Sequence, residues 1–183
     1  HWNYVYTNCP GVKNNTFIYA PRILKAMIDE AATPEEKAAY VDQLIASYDE
    51  RLKYFPGKEA YVTGEKGLQI WKYKKDHQAA YIVFGEAYKI NRSEMTPAQI
   101  NGYFLSAVKM KNDKLIELDE LIKVSQRVNE AIADNRISLG KEISKLDELK
   151  ETSGGTLDSK NTKKLKEAET SLEAYTTVEK NIR

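Results

Sequence analysis

Cys9, His1 and His77 are the most versatile reactive side chains in this chain, and they are few: one thiol and two imidazoles in 183 residues. A thiol nucleophile needs a base within hydrogen-bond reach and a group to orient it. Cys9 is remote in sequence from His77, and no nucleophile motif surrounds either. Zinc needs about three or four N, S or O ligands at close spacing; there is no second cysteine and no histidine pair on one helix face. His77 follows Asp76 in a turn signal and reads as a solvated turn histidine. Glu94, Asp119 and Glu120 stand among lysines on polar faces, although paired acids of the glycosidase kind stay compatible with the sequence. Gly64-Glu65-Lys66-Gly67 lies within helix signals and lacks the spacing of a phosphate-binding loop. Lys72-Tyr73-Lys74-Lys75 and the lysines of 160–166 are diluted by Glu65, Asp76, Glu167 and Glu169, so both read as solvated faces. In Tyr48-Asp49-Glu50-Arg51, Tyr48 reads as core; Arg51 can reach Ser47 or a carboxylate one turn away, or pair with the next helix. No cofactor and no metal is expected.

The elements that position these residues are legible from caps and periodicity. Trp2, Tyr4 and Tyr6 alternate with polar residues, which fits a short extended piece or a first helical turn. A helix is predicted from about Thr16 to Glu30, starting as late as Ala20 because Pro21 is tolerated only near a helix start. Thr33-Pro34-Glu35-Glu36 predicts a capped start with Glu36 closing a capping box, and Pro56-Gly57 ends that helix after Tyr54. Helices follow over 61–75 and 78–91, separated by a turn at Lys75-Asp76-His77. Thr96-Pro97-Ala98-Gln99 repeats the cap-then-proline pattern before a helix to Asn112. From about Leu115 a long helix carries the seam Leu118, Leu121, Ile122, Val128, Ile132, Leu139, Ile143 and Leu146. Gly140, costing ~1 kcal/mol inside a helix, marks a candidate break. Ser153-Gly154-Gly155-Thr156 is a loop, and a last helix over 159–181 can fold back as a hairpin.

Composition narrows the function classes. With 28 basic and 27 acidic residues the net charge is +1, which gives no reason to expect nucleic acid or anionic lipid as partner. No apolar run approaches the ~18 residues of a membrane span. Of 18 aromatic residues only Tyr175 lies beyond position 105. An aromatic-rich helical region, 1–114, is therefore expected to pass into a long helical hairpin, 115–183. The initial His1 is expected to mark processing or trimming. The end at Arg183, without Gly or Pro, is expected to be short of the natural terminus.

Ala80, Phe84 and Ala87, spaced four and three apart, form one helical stripe with an aromatic knob between two small residues. Gly64, Gly67, Leu68 and Trp71 form a second stripe upstream, so the rings of Trp71 and Phe84 can fill the gap between two close helices. This pair resembles a tetratricopeptide repeat, whose second helix carries Ala, aromatic, Ala. Trp71 holds the first-helix aromatic position. Gly67 is displaced by one residue from the usual glycine, and Arg92 stands where the closing proline belongs. One repeat upstream Leu44, Tyr48, Arg51 and Pro56 keep the aromatic and the proline. One repeat downstream Gly102 falls at the glycine position, with Leu118 and Leu121 for the aromatic and the alanine. The fold expected is all-α: antiparallel helix pairs stacked right-handedly as an α-solenoid and ending in the hairpin, each pair covering its neighbour's apolar stripe.

A second resemblance covers about residues 2–135. Trp2…Cys9-Pro10-Gly11…Asn14-Asn15-Thr16-Phe17-Ile18-Tyr19, Tyr48-Asp49-Glu50-Arg51…Tyr54-Phe55 and Gly64-Glu65-Lys66-Gly67 are similar to a group of secreted or envelope-associated Gram-negative bacterial proteins with degenerate tetratricopeptide-like repeats. The resemblance implies export to the periplasm or envelope, a longer array, and no catalytic residues. On such an array the non-core first-helix positions face a concave groove: Glu65, Gln69, Lys72 and Tyr73, then Gln99, Tyr103 and Ser106. These are expected to bind a peptide or protein as a non-catalytic scaffold. Two readings stand beside this one: a glycan-binding or hydrolytic envelope protein whose site lies mostly beyond residue 183, and an architectural spacer whose hairpin dimerises.

Overall fold

The computed structural model describes residues 1–182, and among them every regular element is helical. The N-terminal residues form α1, Trp2–Asn8, rather than an extended piece. Helical spacing brings the rings of Trp2 and Tyr6 to 4.9 Å, and Trp2 Nε1 donates to the Thr16 carbonyl at 2.9 Å. Helix α2, Asn15–Glu30, begins well before Ala20 and carries Pro21 inside it. The proline forfeits one helical hydrogen bond; burial of Phe17, Leu24 and Ile28 along the same helix outweighs that loss.

Helix α3, Pro34–Tyr54, is capped by Thr33, whose Oγ1 accepts from Glu36 N at 3.1 Å. The Glu36 carboxylate does not close the expected box on Thr33; it accepts from Ala32 N at 2.9 Å, one residue further out. Helix α4, Glu59–Gln69, passes into a π turn at Ile70–Lys74 where the sequence predicts an uninterrupted helix. Helix α5, His77–Asn91, is capped by Asp76, which accepts from Ala79 N at 2.9 Å. Helix α6, Pro97–Asn112, opens on the full capping box expected of Thr96 and Gln99. Helix α7, Leu118–Thr152, is unbroken at Gly140, where a side chain would meet open space. Gly154 and Gly155 take left-handed φ angles of 76° and 87° in the loop before α8, Ser159–Ile182.

Consecutive helices from α1 to α8 pack on one another, and α4 also touches α6, as α6 touches α8. Two apolar clusters result. One gathers Ala20, Leu24, Ile28, Val41, Leu44, Tyr48 and Val62 from α2, α3 and α4. The larger runs from Ile70 to Val178 and includes Phe84, Met95, Tyr103, Val128 and Tyr175. The larger cluster joins residues of α5 and α6 to residues of α7 and α8. Ile45 lies against both clusters.

Phe84 is the keystone of that core. A Cβ added at Gly67 would stand 2.8 Å from its ring, and one at Gly102 would stand 2.7 Å from it. The ring thus sits between glycines of α4 and α6, while Ala80 and Ala87, both fully buried, hold α5 close. Trp71 packs against the same core cluster as Phe84. It is half-buried, and its ring meets His77 at 4.3 Å. The α7 seam is also narrower than its apolar pattern. Val124, Val128, Ala131, Ile132 and Asn135 are buried, whereas Leu118 is 56% and Ile122 48% exposed.

Candidate functional site

The structure separates the seven expected groove positions. Gln99, Tyr103 and Ser106 are buried, and Tyr103 lines a separate small cavity of about 280 Å³ with Tyr81, Glu120 and Arg127. Gln99 spends its side chain on the Thr96 cap, and its Nε2 donates to the Tyr61 carbonyl at 3.1 Å and to Glu65 Oε1 at 2.8 Å. Tyr103 packs against Tyr81 and Tyr88, and its hydroxyl accepts from Arg127 at 3.2 Å. Ser106 Oγ donates to the Tyr103 carbonyl at 2.8 Å. Tyr73 packs on the α2–α3 cluster. The reason is close approach: Gly64, Gly67 and Gly102 let α4 and α6 come together until side chains fill the space between them. A Cβ at Gly64 would lie 2.5 Å from the Gln99 amide.

The open groove lies one helix earlier, between α2 and α4. The stripe of α2 that lines it is Ile18, Arg22, Lys25 and Asp29. Two adjoining cavities form it, sharing Lys25 and Glu65 as a common wall. One, about 720 Å³, is bounded by the α2 stripe, by Tyr48 and Arg51 of α3 and by Tyr61 of α4. The other, about 610 Å³, is bounded by Leu68, Gln69, Trp71, Lys72, Lys75 and His77. The π turn builds this second cavity. It inserts one residue into the helical register, and Lys75 ends it in the left-handed region at φ 51°.

Three buried polar atoms of the groove have no hydrogen-bond partner: Arg51 Nε, Gln69 Oε1 and His77 Nδ1. Gln69 is only 3% exposed, and its Nε2 donates to the Glu65 carbonyl at 3.2 Å, leaving the acceptor oxygen open. His77 is thus the first residue of α5 with its ring against Trp71, not a solvated turn residue. Arg51 bonds neither Ser47, whose hydroxyl donates to the Leu44 carbonyl at 2.7 Å, nor a carboxylate. Tyr48 and Tyr61 line the wall as neutral phenols. Burial pushes both above the ordinary phenol range, the Glu65 charge adds to this, and the Arg51 charge opposes it.

Elsewhere the Tyr6 hydroxyl and Glu94 Oε2 are also buried without a partner, while a network of polar side chains is mutually bonded. Tyr81 donates to Glu120 at 2.9 Å, and Arg127 donates to the same carboxylate at 2.9 Å. Arg92 bridges Tyr88, Glu130 and Asp134. These contacts tie α5 and α6 to α7. Cys9 is exposed after α1. Among the described residues no group of three or more His, Cys, Asp or Glu gathers to hold a metal, and no helix is long and apolar enough to cross a membrane.

Of the groove residues, the sequence points to Glu65, Gln69 and Lys72 but not to Arg22, Lys25, Arg51, Trp71 or His77 as lining. What the sequence does not reveal is which of several polar stripes faces a cavity. No protein-family model, no curated protein and no solved structure matches this chain.

Proposed function

We propose that this chain is a non-catalytic interaction scaffold that holds a peptide segment of a partner protein in the groove between α2 and α4. We read its helix pairs, α2–α3, α4–α5 and α6–α7, as tetratricopeptide-like units of an α-solenoid, with α8 closing the array as a hairpin on α7. The contacts of α4 with α6 and of α6 with α8 support that reading, because first helices of successive pairs meet in such an array. The observation that carries the binding role is the gathering of Arg51 Nε, Gln69 Oε1 and His77 Nδ1, buried and unpartnered, around one groove. A buried polar group left without a partner costs roughly 1–3 kcal/mol. A peptide main chain offers N–H and C=O groups along its length and would relieve that cost on binding. The resemblance to envelope-associated proteins supplies the compartment in which we propose it works.

A randomised peptide display selection tests the reading. Enriched peptides are expected to slow hydrogen exchange in α2, α4 and the π turn. No enrichment, or protection confined to α7 and α8, would overturn it.

A further inference from the structure

We infer that the groove takes an acidic peptide, with an apolar residue flanked by carboxylates; the inference rests on the peptide-binding reading above and specifies its ligand. Five cations line the two cavities: Arg22, Lys25, Arg51, Lys72 and Lys75. None of the five pairs with a carboxylate, and Lys72 rests over the Tyr73 ring at 4.8 Å. Outside the groove several cations do pair. Lys66 pairs with Asp49, Lys74 with Asp42, Arg92 with Glu130 and Asp134, Arg127 with Glu120, and Arg136 with Glu179. The two cavities gather these five cations in one place, a local excess of positive charge in a chain whose net charge is only +1.

Only Asp29 and Glu65 oppose it there, and Glu65 already accepts from Gln99. Like-signed groups lining a cleft focus the field and raise the local concentration of the opposite charge. Leu68 and Trp71 give the second cavity an apolar wall beside Lys72 and Lys75. That wall suits an apolar side chain, and the open Gln69 oxygen suits a main-chain N–H next to it. Arg51, with a free Nε between Tyr48 and Tyr61, suits a carboxylate. A nucleic acid is disfavoured because Asp29 and Glu65 interrupt the cationic line that a phosphate backbone would follow.

The test is fluorescence anisotropy with labelled ten-residue peptides, Leu or Trp flanked by Glu, against isomers carrying Gln or Lys in place of Glu. The acidic peptide is expected to bind at least about tenfold more tightly than its Gln counterpart. Its affinity is expected to fall as salt rises, and to fall about tenfold in Lys25→Gln/Lys72→Gln and again in Arg51→Gln. Circular dichroism confirms that the variants fold; Lys13→Gln/Lys160→Gln is the charge-matched control expected to bind as the parent does. Equal binding of the Gln and Glu peptides would overturn the acidic preference and leave the peptide groove standing. Acidic binding indifferent to the groove variants, or no binding by any peptide, would overturn both. Tighter binding of an oligothymidylate or of anionic vesicles than of the acidic peptide would also overturn the inference.

Discussion

Phe84 shows at residue scale how close packing is encoded. Its ring fits because Gly67 and Gly102 have no side chain on either side of it. Phe84→Ala should cost about 3–5 kcal/mol, the usual loss for emptying a buried aromatic site. Gly67→Ala and Gly102→Ala should each cost about 1–3 kcal/mol through overpacking. Urea unfolding would measure all three. Glycine variants as stable as the parent would show that the ring is not pinched between the helices. Ala80, Phe84, Ala87 and Gly102 were readable as packing residues because small-and-large alternation at helical spacing carries a volume argument. The contact of Trp71 with His77 was not, because it follows the π turn and no local pattern announces that turn. Gln99 and Tyr103 were assigned to a groove for a related reason. A polar residue at a first-helix position looks available until the neighbouring helix approaches closely enough to bury it.

At the scale of elements, polar latches hold α7 and α8 against the front helices. Burial raises the Glu120 carboxyl, but hydrogen bonds from Tyr81 and Arg127, with the charges of Arg127 and Lys123, outweigh it and leave the group below the ordinary carboxyl range. Its contribution is therefore full above the unfolded value of about pH 4 and is lost as pH falls through the lowered folded value. Glu120→Gln should lower the urea midpoint at pH 7 and converge with the parent near pH 3. Parallel curves at both pH values would contradict the latch. Tyr175 donates to the Met95 carbonyl at 2.6 Å from a buried position. Tyr175→Phe should cost about 1 kcal/mol and loosen α8 first, visible as faster hydrogen exchange there. Helix caps made these elements easy to find in sequence. The Thr96 and Gln99 box was found whole, and the Thr33 cap was found with the wrong partner for Glu36, since a long carboxylate can reach either of two adjacent N–H groups.

For the whole molecule, several tyrosines are neutral structural members of the core. Burial raises the phenols of Tyr48, Tyr81 and Tyr175 well above their ordinary range, with neighbouring carboxylates adding to the effect at Tyr48 and Tyr81. The stability tied to them is complete below about pH 10 and drains away as pH rises further. Phenolate absorbance from this shielded set should therefore appear together with loss of helical circular dichroism. Smooth ionisation near pH 10 with the helices intact would contradict the burial. All-α architecture and the final hairpin pair were legible from periodicity throughout. The position of the groove was not, because it depends on how far one first helix stands from the next, and close approach at Gly64, Gly67 and Gly102 becomes visible only once the helices are packed.

If the open acceptor of Gln69 serves a ligand rather than the fold, thermal unfolding of Gln69→Met without any partner will show it. A side chain of similar volume with no unmet hydrogen bond should leave the melting temperature unchanged or raise it by a few degrees, since removing a buried unsatisfied group recovers roughly 1–3 kcal/mol less the bond to the Glu65 carbonyl. A clear fall in melting temperature would mean that the amide serves the core, and the groove would lose its most specific feature.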